Sequence, residues 1–275
     1  MINDYQEASL NIMDELRRYC TENSLKSLVI GVSGGIDSAV CCALAKPVCD
    51  ELEIPLIGRY IGITTNKQDE LERAIAIGEA YCHDFGVVDL GKEYKALHSG
   101  LEGDKNNKIA NGNVKARMIM IYLYDLAGKN GGMVLGTDNM TEYLLSFWTK
   151  NGDDFDYNLI HGLWKTEVYG MADNFVLCSD DNKSAAMMAC INADATDGLG
   201  ISKTDLDQIL PDWRDRYETT RAGYREVDYL LRTWRDNTHV GVLAKMEESP
   251  VIQRHLKFAF KRNIPINVGR DVIFR

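Results

Sequence analysis

Proline is scarce in this chain, five among 275 residues, and leaves few breaks. No internal repeat, low-complexity run or linker divides the sequence, which reads as one compact α/β domain over residues 1–275 with a helical C-terminal part from about residue 200. No apolar stretch is long enough to span a bilayer, which excludes a membrane-spanning helix, and no membrane partner is expected. Residues 1–20 carry Asp4, Glu7, Asp14, Glu15, Arg17 and Arg18, a pattern that no secretory signal has. The seven cysteines lack metal-ligand spacing (Cys41 and Cys42 adjoin, the rest are scattered), so reduced thiols in a cytoplasmic protein are expected. Basic residues are outnumbered, 31 against 41 acidic ones, and a formal charge of −10 speaks against a nucleic-acid surface. The G-x-x-x-x-G-K-[ST] loop and the G-x-G-x-x-G fingerprint are both absent, which excludes the two commonest phosphate-binding turns.

What the chain does have is a rhythm of apolar runs and amphipathic segments. A helix is expected over 4–23, with Ala8, Ile12 and Leu16 near one face. The run Ser27–Val32 reads as a buried strand leading into a helix near Ser38–Asp50. Leu56–Ile63 is a second strand, followed by a helix near Lys67–Phe85, a short strand Gly86–Leu90, and a polar stretch around Gly100–Gly112. A long helix near Val114–Lys129 then leads to the strand Met133–Gly136. This alternation predicts a doubly wound, mostly parallel sheet with helices on both faces. Helices are expected near Lys165–Val176, Ser202–Leu210, Tyr224–Asn237 and Pro250–Arg262, the last an amphipathic segment whose charged face is solvated or forms a local anion site.

Ser33-Gly34-Gly35-Ile36-Asp37-Ser38 lies between the first strand and its helix. Glycines there let backbone approach a ligand, the free N–H groups of the first helical turn point at an anion, and the hydroxyls add donors. A purely structural turn has no need of Ser, Gly, Gly, Asp and Ser together. A second strand–turn–helix, Gly136-Thr137-Asp138-Asn139-Met140-Thr141-Glu142, offers a hydroxyl at Thr137 and a carboxylate at Glu142. Asp138 or Asn139 can equally be an N-cap and Glu142 a favourable charge at the helix dipole. Both strand ends sit where parallel sheets bind ligands, and Asp37 with Glu142 can supply the two carboxylates a magnesium ion needs beside phosphate oxygens. Lys165 opens a helix, where a cation opposes the dipole, which suits a lysine serving a bound phosphate. A lone arginine such as Arg117 is more often a surface charge, but Asn113 and Arg117 stand one helical turn apart and face the same way. The polar, acidic loop Phe147–Asp156 reads as a turn at Gly152-Asp153 with clustered carboxylates that are ordinarily just solvated.

The loop Ser33–Ser38 resembles the SGGxDS pyrophosphate loop of the ATP pyrophosphatases, which cleave ATP to AMP and pyrophosphate. Four further segments are similar to NAD synthetase: Gly112-Asn113-Val114-Lys115-Ala116-Arg117 to GNxxAR, Gly136-Thr137-Asp138-Asn139 with Glu142 to GTDxxE, Thr149-Lys150-Asn151-Gly152-Asp153 to TKYGD, and Leu163-Trp164-Lys165-Thr166-Glu167-Val168 to L-x-K-T-x-V. The resemblance covers roughly residues 27–205. It implies an adenine nucleotide alpha-hydrolase-like fold and a homodimer that uses ATP and magnesium to amidate nicotinic acid adenine dinucleotide through an adenylated intermediate. It implies ATP contacts from Gly31, Ser33, Gly34, Gly35, Asp37, Ser38, Arg59, Thr137, Lys165 and Asn192. Magnesium would go to Asp37 and Glu142, the catalytic role to Asp37 and Lys165, and the acid to Asn113, Arg117, Lys150, Asp153 and Asp156. No glutaminase domain is expected, so ammonia is the nitrogen source. The loop alone also fits a ligase that adenylates another carboxylate or a nucleobase. Departures lie at the periphery: Ile191-Asn192-Ala193-Asp194-Ala195 stands for the family's Pro-Ser/Thr-Ala-Asp-Leu, the stretch to Gly200 is short, the turn Tyr60-Ile61-Gly62-Ile63 lacks the usual Leu-Pro, and Phe260-Lys261-Arg262-Asn263-Ile264-Pro265 lacks the histidine of His-Lys-Arg-x-x-Pro.

Overall fold

The structure is a computed structural model that describes residues 2–64, 67–153, 155–196, 202–236 and 239–262. In chain order the elements are α1 Tyr5–Glu22, β1 Leu28–Gly31, α2 Ile36–Glu51, β2 Leu56–Gly62, α3 Gln68–Tyr81, β3 Asp84–Asp89, α4 Gly91–Ser99, α5 Lys108–Lys129, β4 Met133–Gly136, α6 Met140–Leu145 and β5 Tyr157–Asn158. Helices alone follow: α7 Lys165–Cys178, α8 Asp181–Ile191, α9 Leu206–Ile209, α10 Trp213–Arg216, α11 Thr220–Asp236, α12 Val240–Met246, α13 Pro250–Lys257, and a 3-10 turn Ala259–Arg262.

The strands form one parallel sheet in the order β3-β2-β1-β4-β5, with Leu28 paired to Leu56 on one side and to Met133 on the other. Its central strands β1 and β4 read as unbroken apolar runs because both faces are covered there. Val29, Ile57 and Val134 point to one face, where Met118, Leu123 and Ala127 of α5 pack. Leu28, Ile30, Leu56, Met133 and Leu135 point to the other, against α1, α2, α7 and α8. The α/β architecture with helices on both faces agrees with the sequence expectation.

Boundaries differ where side-chain caps decide them. Helix α5 starts at Lys108, earlier than the apolar pattern predicts, because Asn107 Oδ1 accepts from the Ala110 N–H at 3.0 Å. The same occurs at α8, absent from the sequence reading, where Asp180 accepts from the Lys183 N–H. The helix expected over Ser202–Leu210 shrinks to α9, because Ser202 and Asp207 bond to Thr204 and hold a turn instead. Helix α4 and the two-residue β5 also lie outside the expected set.

Candidate active site

The strand order reverses between β1 and β4, and their C-terminal ends open onto a cavity of about 760 Å3. Such switch points are where open parallel sheets bind ligands, and the volume suits a small-molecule site. Gly31, Ser33, Gly34, Gly35, Asp37, Ser38, Arg59, Thr137, Glu142 and Lys165 all line it, as do Asn113, Arg117, Lys150 and Asp153.

The loop after β1 is tied to itself. Ser33 N–H donates to Ser38 Oγ at 3.3 Å, the two hydroxyl oxygens stand 3.1 Å apart, and Ser38 Oγ donates back to the Gly35 carbonyl at 3.0 Å. Gly34 has φ +79°, and a Cβ there would meet the Glu70 carbonyl at 2.3 Å, so only glycine fits. Gly35 is the N-cap of α2 without a side-chain cap, which leaves the helix N-terminus facing the cavity.

Lys165 is buried and its ammonium donates to Asp37 and, at 2.7 Å, to Glu142 Oε1. Burial alone would lower its pKa, but the two carboxylates hold it well above the usual range, so it stays charged. Burial, with the Asp37 charge, raises Glu142. Asn139 joins them: its Nδ2 donates to Asp37 at 2.8 Å and its Oδ1 caps the Glu142 N–H at 3.0 Å. The carboxylates of Asp37 and Glu142 thus converge on one ammonium beyond the C-terminal ends of β1 and β4, a hard oxygen pair of the kind magnesium takes when phosphate oxygens and water complete its shell. Of the two N-cap candidates in this segment, the cap falls to Asn139.

At the other end, Asn113 Oδ1 accepts from Thr149 Oγ1 at 2.9 Å and Arg117 donates to the Lys150 carbonyl at 3.1 Å, so the shared face of α5 holds the 149–153 turn. Thr149 N–H donates to Asp153 at 2.7 Å; burial raises this carboxyl and that bond counters it. Arg59 lies along the wall with its guanidinium already paired to Asp84 at 2.8 Å.

Two expected contacts fall outside the cavity wall. Asp156 accepts from Tyr124 OH at 2.9 Å and from the Val134 N–H at 3.0 Å, filling the place of a strand partner beside β4. Asn192 is exposed at the C-cap of α8, and residues 193–196 line the cavity in its stead. The Asp197–Gly200 stretch, Asp154 and Asn263–Pro265 lie outside the described residues. Sequence reasoning did not place Arg73, Cys190, Arg254, Phe258, Phe260 and Lys261 on the cavity wall. For Arg254 and Lys261 the signal was the basic face of α13 and the turn after it. Burial, then Arg254, lowers Lys261 to about 8.

The NAD synthase family model matches residues 9–265. The chain belongs to the NAD synthase family. The NH(3)-dependent NAD(+) synthetase of Finegoldia magna is 33% identical over 229 residues, 82% of this chain and 89% of that one. The enzyme of the same name from Thermoplasma acidophilum is 29% identical over 97% of this chain and 99% of its own. Among solved NAD synthase-like folds, an NMN synthetase from Francisella tularensis superposes with TM-score 0.76 at 23% identity, covering 98% of this chain and all of that one. The NH3-dependent NAD synthetase of Campylobacter jejuni gives TM-score 0.66 at 23% identity with the same coverage.

Proposed function

We propose that this chain is an ammonia-dependent ligase that amidates nicotinic acid adenine dinucleotide to NAD, splitting ATP to AMP and pyrophosphate. The observation that carries the reading is the convergence of the Ser33–Ser38 loop with Asp37, Glu142 and Lys165 at the sheet's switch point, in a chain of the NAD synthase family.

The acid's carboxylate attacks the ATP α-phosphate, the bond to the β-phosphate bridge breaks, and pyrophosphate leaves. Ammonia then attacks the activated carbonyl, AMP departs as the C–O bond breaks, and a proton is released. The loop N–H groups, Ser33 and Ser38 would hold the pyrophosphate, and Lys165 would meet its growing charge. Asp37 and Glu142 would hold magnesium, which supplies further charge neutralisation when bound. Gly31, Arg59 and Thr137 would border ATP, while Asn113, Arg117, Lys150 and Asp153 would orient the acid. The exposed Ile121 and Tyr124, one turn apart on α5, support a homodimer, and seven free thiols fit a reducing cytoplasm. Among the described residues no helix is long and apolar enough to cross a membrane.

The test is incubation with ATP, magnesium, ammonium and nicotinic acid adenine dinucleotide. NAD and AMP are expected in equal amounts. ATP cleavage only with some other acid would overturn the reading.

A further inference from the structure

The Gly34 carbonyl of the phosphate loop is held from outside the loop by two helices. Arg73 of α3 donates its Nε to that oxygen at 3.0 Å, and the Cys190 thiol of α8 reaches it at 3.5 Å. The Arg73 side chain is 16% exposed, lines the cavity, and is steadied by an ion pair to Asp69 at 2.9 Å. Burial pushes the Cys190 thiol up to about 12, so it stays protonated and able to donate.

A trans peptide unit points its C=O and the following N–H in opposite directions. Anchoring the Gly34 carbonyl toward α3 and α8 therefore turns the Gly35 N–H the other way, where it meets Ser33 Oγ at 3.3 Å. Gly34, at φ +79° and without a side chain, has no steric lock of its own on this peptide plane. An unbraced Gly34–Gly35 unit can rotate its carbonyl into the cradle, where it would repel a phosphate oxygen.

We propose that Arg73, assisted by Cys190, is a positioning residue for the ATP-cleaving step: it sets the Gly34–Gly35 peptide so that the loop presents an N–H, not a carbonyl, to the pyrophosphate. This rests on the ATP-cleaving reading given above. Helix α8 runs directly into residues 193–196 of the cavity wall, so the same oxygen links the phosphate loop to that wall.

Side-chain lengths allow a clean separation of donor from charge. Glutamine places its Nε2 where arginine has Nε, keeping the donor without the charge. Lysine keeps the charge but puts carbon at that position, and methionine keeps neither. Inorganic pyrophosphate is titrated calorimetrically into each full-length variant, and the ATP KM, the acid KM and kcat are measured in parallel. Arg73→Met and Arg73→Lys are expected to weaken pyrophosphate binding about tenfold, the worth of one hydrogen bond, and to raise the ATP KM alike without moving the acid KM. Arg73→Gln is expected to restore most of that loss, and Cys190→Ala to deepen it in the Arg73→Met background. Normal binding in Arg73→Lys with loss in Arg73→Gln would overturn the proposal in favour of plain charge, and wild-type binding in all three would overturn it outright. If Arg73→Met does not fold, the lysine and glutamine pair still decides. Wild-type protein that binds pyrophosphate but makes no NAD would count against the amidation reading alone.

Discussion

At the first position of α7, Lys165 faces the positive end of a helix dipole and lies almost wholly out of water, two effects that each disfavour an ammonium. Two carboxylates outweigh both, and each sits in the first turn of a different helix, α2 after β1 and α6 after β4, so the ion pairs also tie both helix starts to α7 at the cavity. Removing one member changes chemistry more than fold, because Lys165 keeps the other. In Asp37→Ala, Glu142 still accepts from Lys165 and Asn139 keeps its cap on α6. NAD formation is expected to fall by at least about a hundredfold to a thousandfold, the usual loss when one preorganised charge-stabilising group is deleted. Thermal unfolding should stay cooperative. Wild-type turnover in this variant, measured as AMP release, would remove Asp37 from the reaction.

Between elements, Asp228 of α11 does the equivalent work beneath the site. It is 2% exposed, accepts from Thr141 Oγ1 of α6 at 2.6 Å and from the Thr166 N–H of α7 at 2.8 Å, and Thr141 in turn accepts from the Lys165 N–H at 2.9 Å. Burial raises its pKa, so the folded state holds this proton more tightly than the unfolded chain and Asp228 contributes less as pH climbs above the ordinary carboxylate range. Asp228→Ala strands a buried hydroxyl and a buried N–H, and is expected to cost about 2–4 kcal/mol in urea unfolding. It should also lower kcat, because the start of α7 carries Lys165; an unchanged kcat at lowered stability would confine Asp228 to folding. This link was not legible in the sequence, where Asp228 is one acid on an amphipathic helix and its two partners lie far earlier in the chain. The helices and strands around it were legible because apolar period reports burial locally. Elements set by one capping side chain, such as α8 behind Asp180, or by pairing of only two residues, such as β5, leave almost no periodic trace.

Over the whole molecule, a chain of net charge −10 brings Lys115, Arg117, Lys150, Arg254 and Lys261 to the wall of its cavity. Composition reported the excess acid faithfully and could not report this clustering, because the residues come from α5, the turn after α6, α13 and the chain beyond it. Ser33–Ser38 and the Thr137–Glu142 segment were readable since each is contiguous; the aromatic and cationic wall is assembled by folding. Phe147, Trp148, Phe258 and Phe260 interleave with it, and Lys150 Nζ lies 6.0 Å from the Phe260 ring centroid. These cations, on a wall that also carries carboxylates such as Asp138 and Asp153, attract an anionic acid substrate by short-range field, so its KM should rise as salt shortens the screening length. Lys261 gives the pH dependence. Burial and Arg254 lower it to about 8, with Asp153 and Asp138 pulling the other way and Lys150 adding to the fall. Below that pH its ammonium is present, and above it the wall loses one positive charge, so KM for the dinucleotide acid should climb through pH 8 while KM for ATP stays level. The stability effect has the opposite sign: the folded chain binds fewer protons than the unfolded one between pH 8 and the ordinary lysine range, so deprotonating Lys261 makes folding more favourable across that window. Steady-state profiles from pH 6.5 to 9.5 on wild type and Lys261→Gln check this; the limb near pH 8 should vanish in the variant, and its persistence would assign the titration to another group.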